Sequence, residues 1–284
     1  MSEGAPSDGF VPAHLDVTAP GAEPARSVVV LHGIMGSASN WRGFCRALAA
    51  SLPDVRFVLV DLRHHGDSAG APPPDTVAAC AEDVARLAGA LDIAPEAIVG
   101  HSFGGKVALL AAKHLPSVRR VVLVDAPVGP IPEGTEPHEV ERVLEALHAV
   151  PMPLPARADL EPVLRARGIA PPIVQWMGTN LRPEAGAYVW RFDLAGIERL
   201  LADYAGVDLW PLLEDRGGRD FEVTLVRGGR SDRFEPGDVA HLEDLARAGF
   251  IDHRVLPEAG HWVHAEDPKG LSAVLERLLR ARRA

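Results

Sequence analysis

The sequence predicts an α/β fold in which a mostly parallel central sheet is covered by helices and carries an inserted helical cap. Three observations predict it. First, short apolar runs rich in valine recur along the chain, at residues 27–31 (SVVVL), 57–60 (FVLV), 97–99 (AIV), 121–124 (VVLV) and 223–226 (VTLV). Runs with no polar alternation suit strands buried on both faces, as in a parallel sheet. Second, helical patterns fall between these runs, and strands alternating with helices build a parallel, helix-covered sheet. Third, the alternation lapses over residues 129–219, where no buried strand is expected.

Along the chain, residues 1–10 (MSEGAPSDGF) are small and polar and read as a loose arm, and residues 11–17 alternate as an edge strand does. Val77, Cys80, Val84, Leu87 and Leu91 recur at steps of three and four and form one apolar helix face. Asp75 or Thr76, just after three prolines, can cap that helix. Leu271, Val274, Leu275, Leu278 and Leu279 repeat the pattern near the C-terminus. The irregular stretch opens with Pro127, Pro130, Pro132 and Pro137, offers amphipathic segments around 140–150 and 195–204, and holds Trp176, Trp190 and Trp210. The expected division is therefore a core of residues 1–128 and 220–284 with residues 129–219 as the cap.

Composition narrows the function. The 284 residues carry 29 Lys and Arg against 39 Asp and Glu, a formal charge of -10. That balance disfavours nucleic acid and anionic membranes as partners. Cys45 and Cys80 both fall on apolar helix faces and read as buried reduced thiols. No basic start followed by an apolar run marks a signal peptide, and no stretch is long enough to span a bilayer, so a cytoplasmic location is expected. His64 and His65 lack the spacing of a zinc site, and neither metal nor organic cofactor is expected. Monomer and homodimer both remain open.

The chemistry concentrates in a few motifs. Gly100-His101-Ser102-Phe103-Gly104 follows the 97–99 strand and precedes a helical pattern at 106–115. A strand-to-helix turn this tight strains its serine and leaves the hydroxyl exposed at the sheet end, which marks Ser102 as a nucleophile. A serine hydroxyl needs a base. His261, after a glycine and the strand-like residues 254–256, is the late histidine able to supply it; His264 reads as a packing residue. The oxyanion formed on attack needs preorganised N–H donors. The backbone N–H of Phe103 and that of Ile34, in the glycine-bearing loop 32–36 (HGIMG), are the candidates. Two aspartates compete as the acid behind the base. Asp232 lies in a loop (GRSD) after the 223–226 strand, and Asp125 directly follows the 121–124 strand. Asp232 is preferred because its loop can bend toward His261 without distorting a strand; Asp125 is the alternative.

Together these residues resemble the α/β-hydrolase superfamily and, within it, the YbfF-type small bacterial esterases and their mitochondrial relatives. The matching stretches are 32–37 (HGIMGS), 61–68 (DLRHHGDS), 100–106 (GHSFGGK), 124–127 (VDAP), 190–192 (WRF) and 259–266 (AGHWVHAE). The resemblance implies the same roles for Ser102, His261, Ile34 and Phe103. It leaves the acid open, since members of this group can use an aspartate matching Asp125. His64 stands where the group usually has asparagine. The activity implied is cleavage of a small acyl ester or thioester through an acyl-enzyme, with Trp176, Met177, Trp190 and Phe192 of the cap lining the acyl pocket. Acyl transfer, perhydrolysis and carbon–carbon hydrolysis use the same triad. A ligand-binding receptor with a vestigial triad is the reading from another class.

Overall fold

The computed structural model of the chain describes residues 9–132 and 139–280, so most of the expected N-terminal arm and Pro137 lie outside the described residues. Each apolar run becomes a strand: β1 (His14–Val17), β2 (Arg26–Leu31), β3 (Val55–Val60), β4 (Ala97–His101), β5 (Arg120–Val124), β8 (Glu222–Gly228) and β9 (Asp252–Leu256). Among the described residues these seven form one sheet in the order β1-β3-β2-β4-β5-β8-β9. Only β1, at the edge, runs antiparallel to its neighbour.

Side chains of successive strand residues point to opposite faces, and both faces are buried. Val29 and Leu31 of β2 join one core with α2 (Val77–Ala90) and α3 (Phe103–His114), while Val28 and Val30 join a second core with α1 (Ala38–Ser51) and α11 (Pro268–Arg280). Cys80 and Cys45 are buried as free thiols in these two separate cores. Thr76, rather than Asp75, caps α2, its hydroxyl accepting from the Ala79 N–H at 3.1 Å. The chain moves outward from β2 to β3 and then returns to place β4 on β2's other side. That reversal puts a crevice at the carboxyl ends of β2 and β4, where open α/β sheets hold ligands.

β5 and β8 pair directly, from Arg120 with Glu222 to Val124 with Val226, although residues 129–219 lie between them in sequence. The sheet is thus continuous beneath the intervening segment. That segment contains α4 (Glu139–His148), α5 (Leu160–Arg165), α6 (Pro171–Thr179), a hairpin of β6 (Leu181–Glu184) and β7 (Ala187–Trp190), α7 (Leu194–Gly206) and α8 (Trp210–Glu214). The hairpin corrects the purely helical expectation: its residues are mostly exposed or half-buried, so it carries no apolar run to announce it.

Polar groups tie α7 to the core at both ends. Lys106 of α3 is fully buried, and its Nζ donates to the carbonyls of Gly129 (2.8 Å), Tyr204 (3.0 Å) and Val207 (2.7 Å) while lying 4.0 Å from the Tyr204 ring centre. Burial lowers its pKa to about 8. At the other end, Asp75 lies 2.5 Å from both His64 Nε2 and Arg199 Nε, and the Asp193 N–H donates to the His64 carbonyl at 2.9 Å. After β8 the chain forms α9 (Pro236–Arg247), then β9 and the short α10 (Val263–Glu266). Among the described residues no helix is long and apolar enough to cross a membrane.

Candidate active site

Ser102 sits between the last residue of β4 and the first of α3, with φ 51° and ψ -119°. A left-handed backbone costs a non-glycine residue roughly 1–3 kcal/mol, so the surroundings must hold it there. The Ser102 N–H donates to the Val124 carbonyl at 3.0 Å, and the Ser102 carbonyl accepts from the Gly105 N–H at 2.8 Å. Gly104 is required by close approach: a Cβ there would stand 2.5 Å from the His32 carbonyl oxygen. Of six non-glycine residues with positive φ among those described, three stand at this site: Met35, Ser102 and Asp125. Strain is concentrated where the chemistry would be.

Two buried histidines brace the loop after β2. His32 Nδ1 donates to the Gly33 carbonyl at 2.7 Å, and its Nε2 accepts the Leu62 N–H at 3.1 Å. His65 Nδ1 donates to the Arg63 carbonyl at 2.8 Å, and its Nε2 accepts the Met35 N–H at 3.0 Å. Burial pushes His32 down to about 4 and His65 to about 3, so both stay neutral and both ring nitrogens keep these roles. The Met35 N–H is thereby engaged, and Ile34 stands next to it in the cavity wall. Ile34, Phe103, Ser102 and His261 line one cavity of about 110 Å³. A Cβ at Gly33 would stand 3.3 Å from the Ser102 Cβ and 2.9 Å from His101 Nδ1, so the loop can approach the serine only as glycine.

His261 follows β9, and its Nδ1 donates to Asp125 Oδ2 at 2.7 Å. The hydrogen on Nδ1 leaves Nε2 with its lone pair, the form a base requires. Burial depresses the imidazole and raises the Asp125 carboxyl, while donors around Asp125 favour its ionised form. Those donors are the Gly228 N–H (2.9 Å) and the Ser231 hydroxyl (2.5 Å). The His261 backbone is fixed by His101, whose Nε2 donates to its carbonyl at 2.9 Å.

Of the two candidate aspartates, the structure brings the alternative, Asp125, to His261 and leaves the preferred one, Asp232, away from it. Asp125 is fully buried against His261, whereas the Asp232 side chain is 78% exposed and lies 3.3 Å from Arg233 Nε. The loop after β8 does bend toward the site, but it presents Ser231 to Asp125. Asp125 reaches His261 by adopting φ 46° at the strand end, the distortion that had argued against it.

Of the four expected pocket residues, the structure brings one to the cavity. Trp176 lines the cavity, but Met177, Trp190 and Phe192 do not. Met177 lies one residue round α6 and is fully buried in the core, while Trp190 and Phe192 stack on each other, ring centres 4.9 Å apart at 12°. The apolar wall is formed instead by Pro130, Ile131, Val140, Ile173, Leu201 and Tyr204. Sequence reasoning missed His32, His65, His101, Lys106 and Ser231. For His32, His65, His101 and Lys106 the signal lay inside the quoted motifs, a polar residue next to a glycine, whereas Ser231, between Arg230 and Asp232, gave none.

A strained serine turn at the carboxyl edge of a doubly covered parallel sheet defines the α/β-hydrolase class. The comparisons agree: residues 28–274 match the Alpha/beta hydrolase family. The chain belongs to that family and is a hydrolase. It is 30% identical over 254 residues to the sn-1-specific diacylglycerol lipase ABHD11 of Mus musculus, covering 86% of this chain and 77% of that protein. It is 28% identical over 258 residues to Esterase YbfF of Escherichia coli, covering 89% and 92%. A solved structure, a marine microorganism esterase, superposes with a TM-score of 0.78 at 22% identity over 94% of this chain and 98% of that one, a likeness of fold.

Proposed function

We propose that the chain hydrolyses carboxylic esters through Ser102, His261 and Asp125, with residues 129–219 acting as a cap over the site. His261 Nε2 takes the Ser102 proton as Oγ attacks the acyl carbonyl. The oxyanion is stabilised by the N–H groups of Ile34 and Phe103, and Asp125 stabilises the imidazolium. The imidazolium then protonates the departing alcohol as its bond to the acyl carbon breaks. Water, deprotonated by the same imidazole, attacks the acyl-enzyme and releases the acid and Ser102. The observation that carries this reading is the buried Asp125–His261 pair sharing a crevice with a strained Ser102. The names of the relatives, an esterase and a diacylglycerol lipase, support an ester as substrate. A fluorophosphonate probe is expected to label Ser102, and Ser102→Ala to abolish both labelling and turnover of p-nitrophenyl esters while the protein stays folded. Labelling at another serine, or turnover unchanged in the variant, would contradict the assignment.

A further inference from the structure

Beside the catalytic cavity lies a second one of about 730 Å³. The two share a wall made by Gly33, His101, Ile173, Trp176 and Trp262. Trp176 of α6 and Trp262 of the histidine loop meet edge to face on the boundary between them, ring centres 4.5 Å apart. We propose that this second cavity seats the alcohol half of the ester and takes an uncharged aromatic or bulky apolar alcohol. The inference rests on the ester-hydrolase reading above.

The chemistry fixes the side. The departing oxygen receives its proton from His261, so the alcohol leaves on the histidine side of the acyl carbon. The wall of the second cavity begins at Trp262, the next residue, and continues through His264, Ala265 and Glu266. The two cavities also differ in capacity. Pockets for drug-sized ligands run to roughly 300–1,000 Å³, so the second cavity accommodates a ring system.

Its lining sets the ligand class. Trp41, Phe44, Trp176 and Trp262 offer aromatic faces and edges. Among the residues lining it there is no lysine or arginine, and burial holds His32, His101 and His264 neutral. Glu266, its one carboxylate, accepts the backbone N–H groups of Gly260 (2.7 Å) and Trp262 (3.0 Å). A phosphate-bearing leaving group such as coenzyme A would find no counter-charge there. His264 stacks on Trp41, ring centres 4.4 Å apart, and adds a further ring to this wall.

Ala265 is exposed on α10 and lines this cavity but not the catalytic one, so it can be enlarged to fill the space. Ala265→Trp is expected to lower kcat/KM for 1-naphthyl acetate about tenfold or more while leaving ethyl acetate within about twofold, and acetyl-coenzyme A is expected to be a poor substrate of both proteins. In the unaltered enzyme, 1-naphthol is expected to compete with 1-naphthyl acetate, and the variant to lose that inhibition. Equal losses on both acetates, no loss on either, efficient turnover of acetyl-coenzyme A, or no inhibition of the unaltered enzyme by 1-naphthol would overturn the proposal. The naphthol arm needs no variant and decides the matter if Ala265→Trp fails to fold. If the unaltered protein hydrolyses neither acetate and Ser102 takes no probe, it is the ester-hydrolase reading that has failed.

Discussion

The sheet and the segment inserted into it are held by different forces. The strands are fixed by a ladder of parallel pairings and two apolar cores, each built from valine runs that declare themselves locally. The inserted segment also buries apolar surface, with Ile197, Leu200 and Tyr204 of α7 in the core of β2 and α2, but α7 adds polar ties: Lys106 at one end, Asp203 accepting the Val77 N–H, and His64 with Asp75 and Arg199 at the other end. Distributed burial tolerates the loss of one contact; a buried charged latch does not. The pocket wall formed by Leu201 and Tyr204 therefore depends on a few residues, whereas the Ser102 turn rests on the whole sheet.

This contrast can be broken at Lys106. Lys106→Met removes the Nζ donor from the carbonyls of Gly129, Tyr204 and Val207, of which Tyr204's keeps the Val207 N–H at 3.2 Å, while keeping the apolar stem. The expected loss is about 2–4 kcal/mol of stability, read by urea unfolding, because each unsatisfied buried acceptor costs on the order of 1–3 kcal/mol and the three can relax only in part. A loss under about 0.5 kcal/mol would show that packing alone holds α7.

The loop after β2 sharpens the comparison through pH. His32 and His65 are lowered on folding, to about 4 and 3. The unfolded chain binds their protons near 6.5 and the folded chain does not. Their stability contribution is therefore complete above about 6.5 and falls as pH drops, by up to about 1.4 kcal/mol per pH unit for each. Asp61 and Asp125, shifted upward by burial, offset part of this. Unfolding curves between pH 7 and 5 should show the decline, and His65→Gln should flatten it by about one proton. An identical slope in the variant would place the sensitivity elsewhere.

The smallest effect is expected at Trp190, which packs on Phe192 rather than in the cavity. Trp190→Ala should cost about 1–3 kcal/mol of stability and leave the preferred acyl length unchanged across a p-nitrophenyl ester series. A shift in preferred length would restore it to the pocket.

What the sequence made legible follows from how local each signal was. The valine runs, the α2 face and the Ser102 turn are written in consecutive residues, and His261 in a glycine-flanked motif late in the chain. The acid was not so written. Asp125 and Asp232 both follow strand ends, and choosing between them requires the path of the loop after β8, which turns Ser231 inward and Asp232 out. Aromatic content likewise marked residues 129–219 as a packed segment without saying which rings face the cavity: Trp176 does, and Met177, its neighbour in sequence, points away.

In the proposed triad His261 is oriented by Asp125. Asp125→Asn and Asp232→Asn, assayed side by side for kcat on a p-nitrophenyl ester, test it most directly. Asp125→Asn should lower kcat by about three to four orders of magnitude, because an amide favours the wrong imidazole tautomer. Asp232→Asn removes an exposed ion pair with Arg233 and should change kcat by no more than about threefold. The reverse ranking, or comparable moderate losses from both, would contradict the claim.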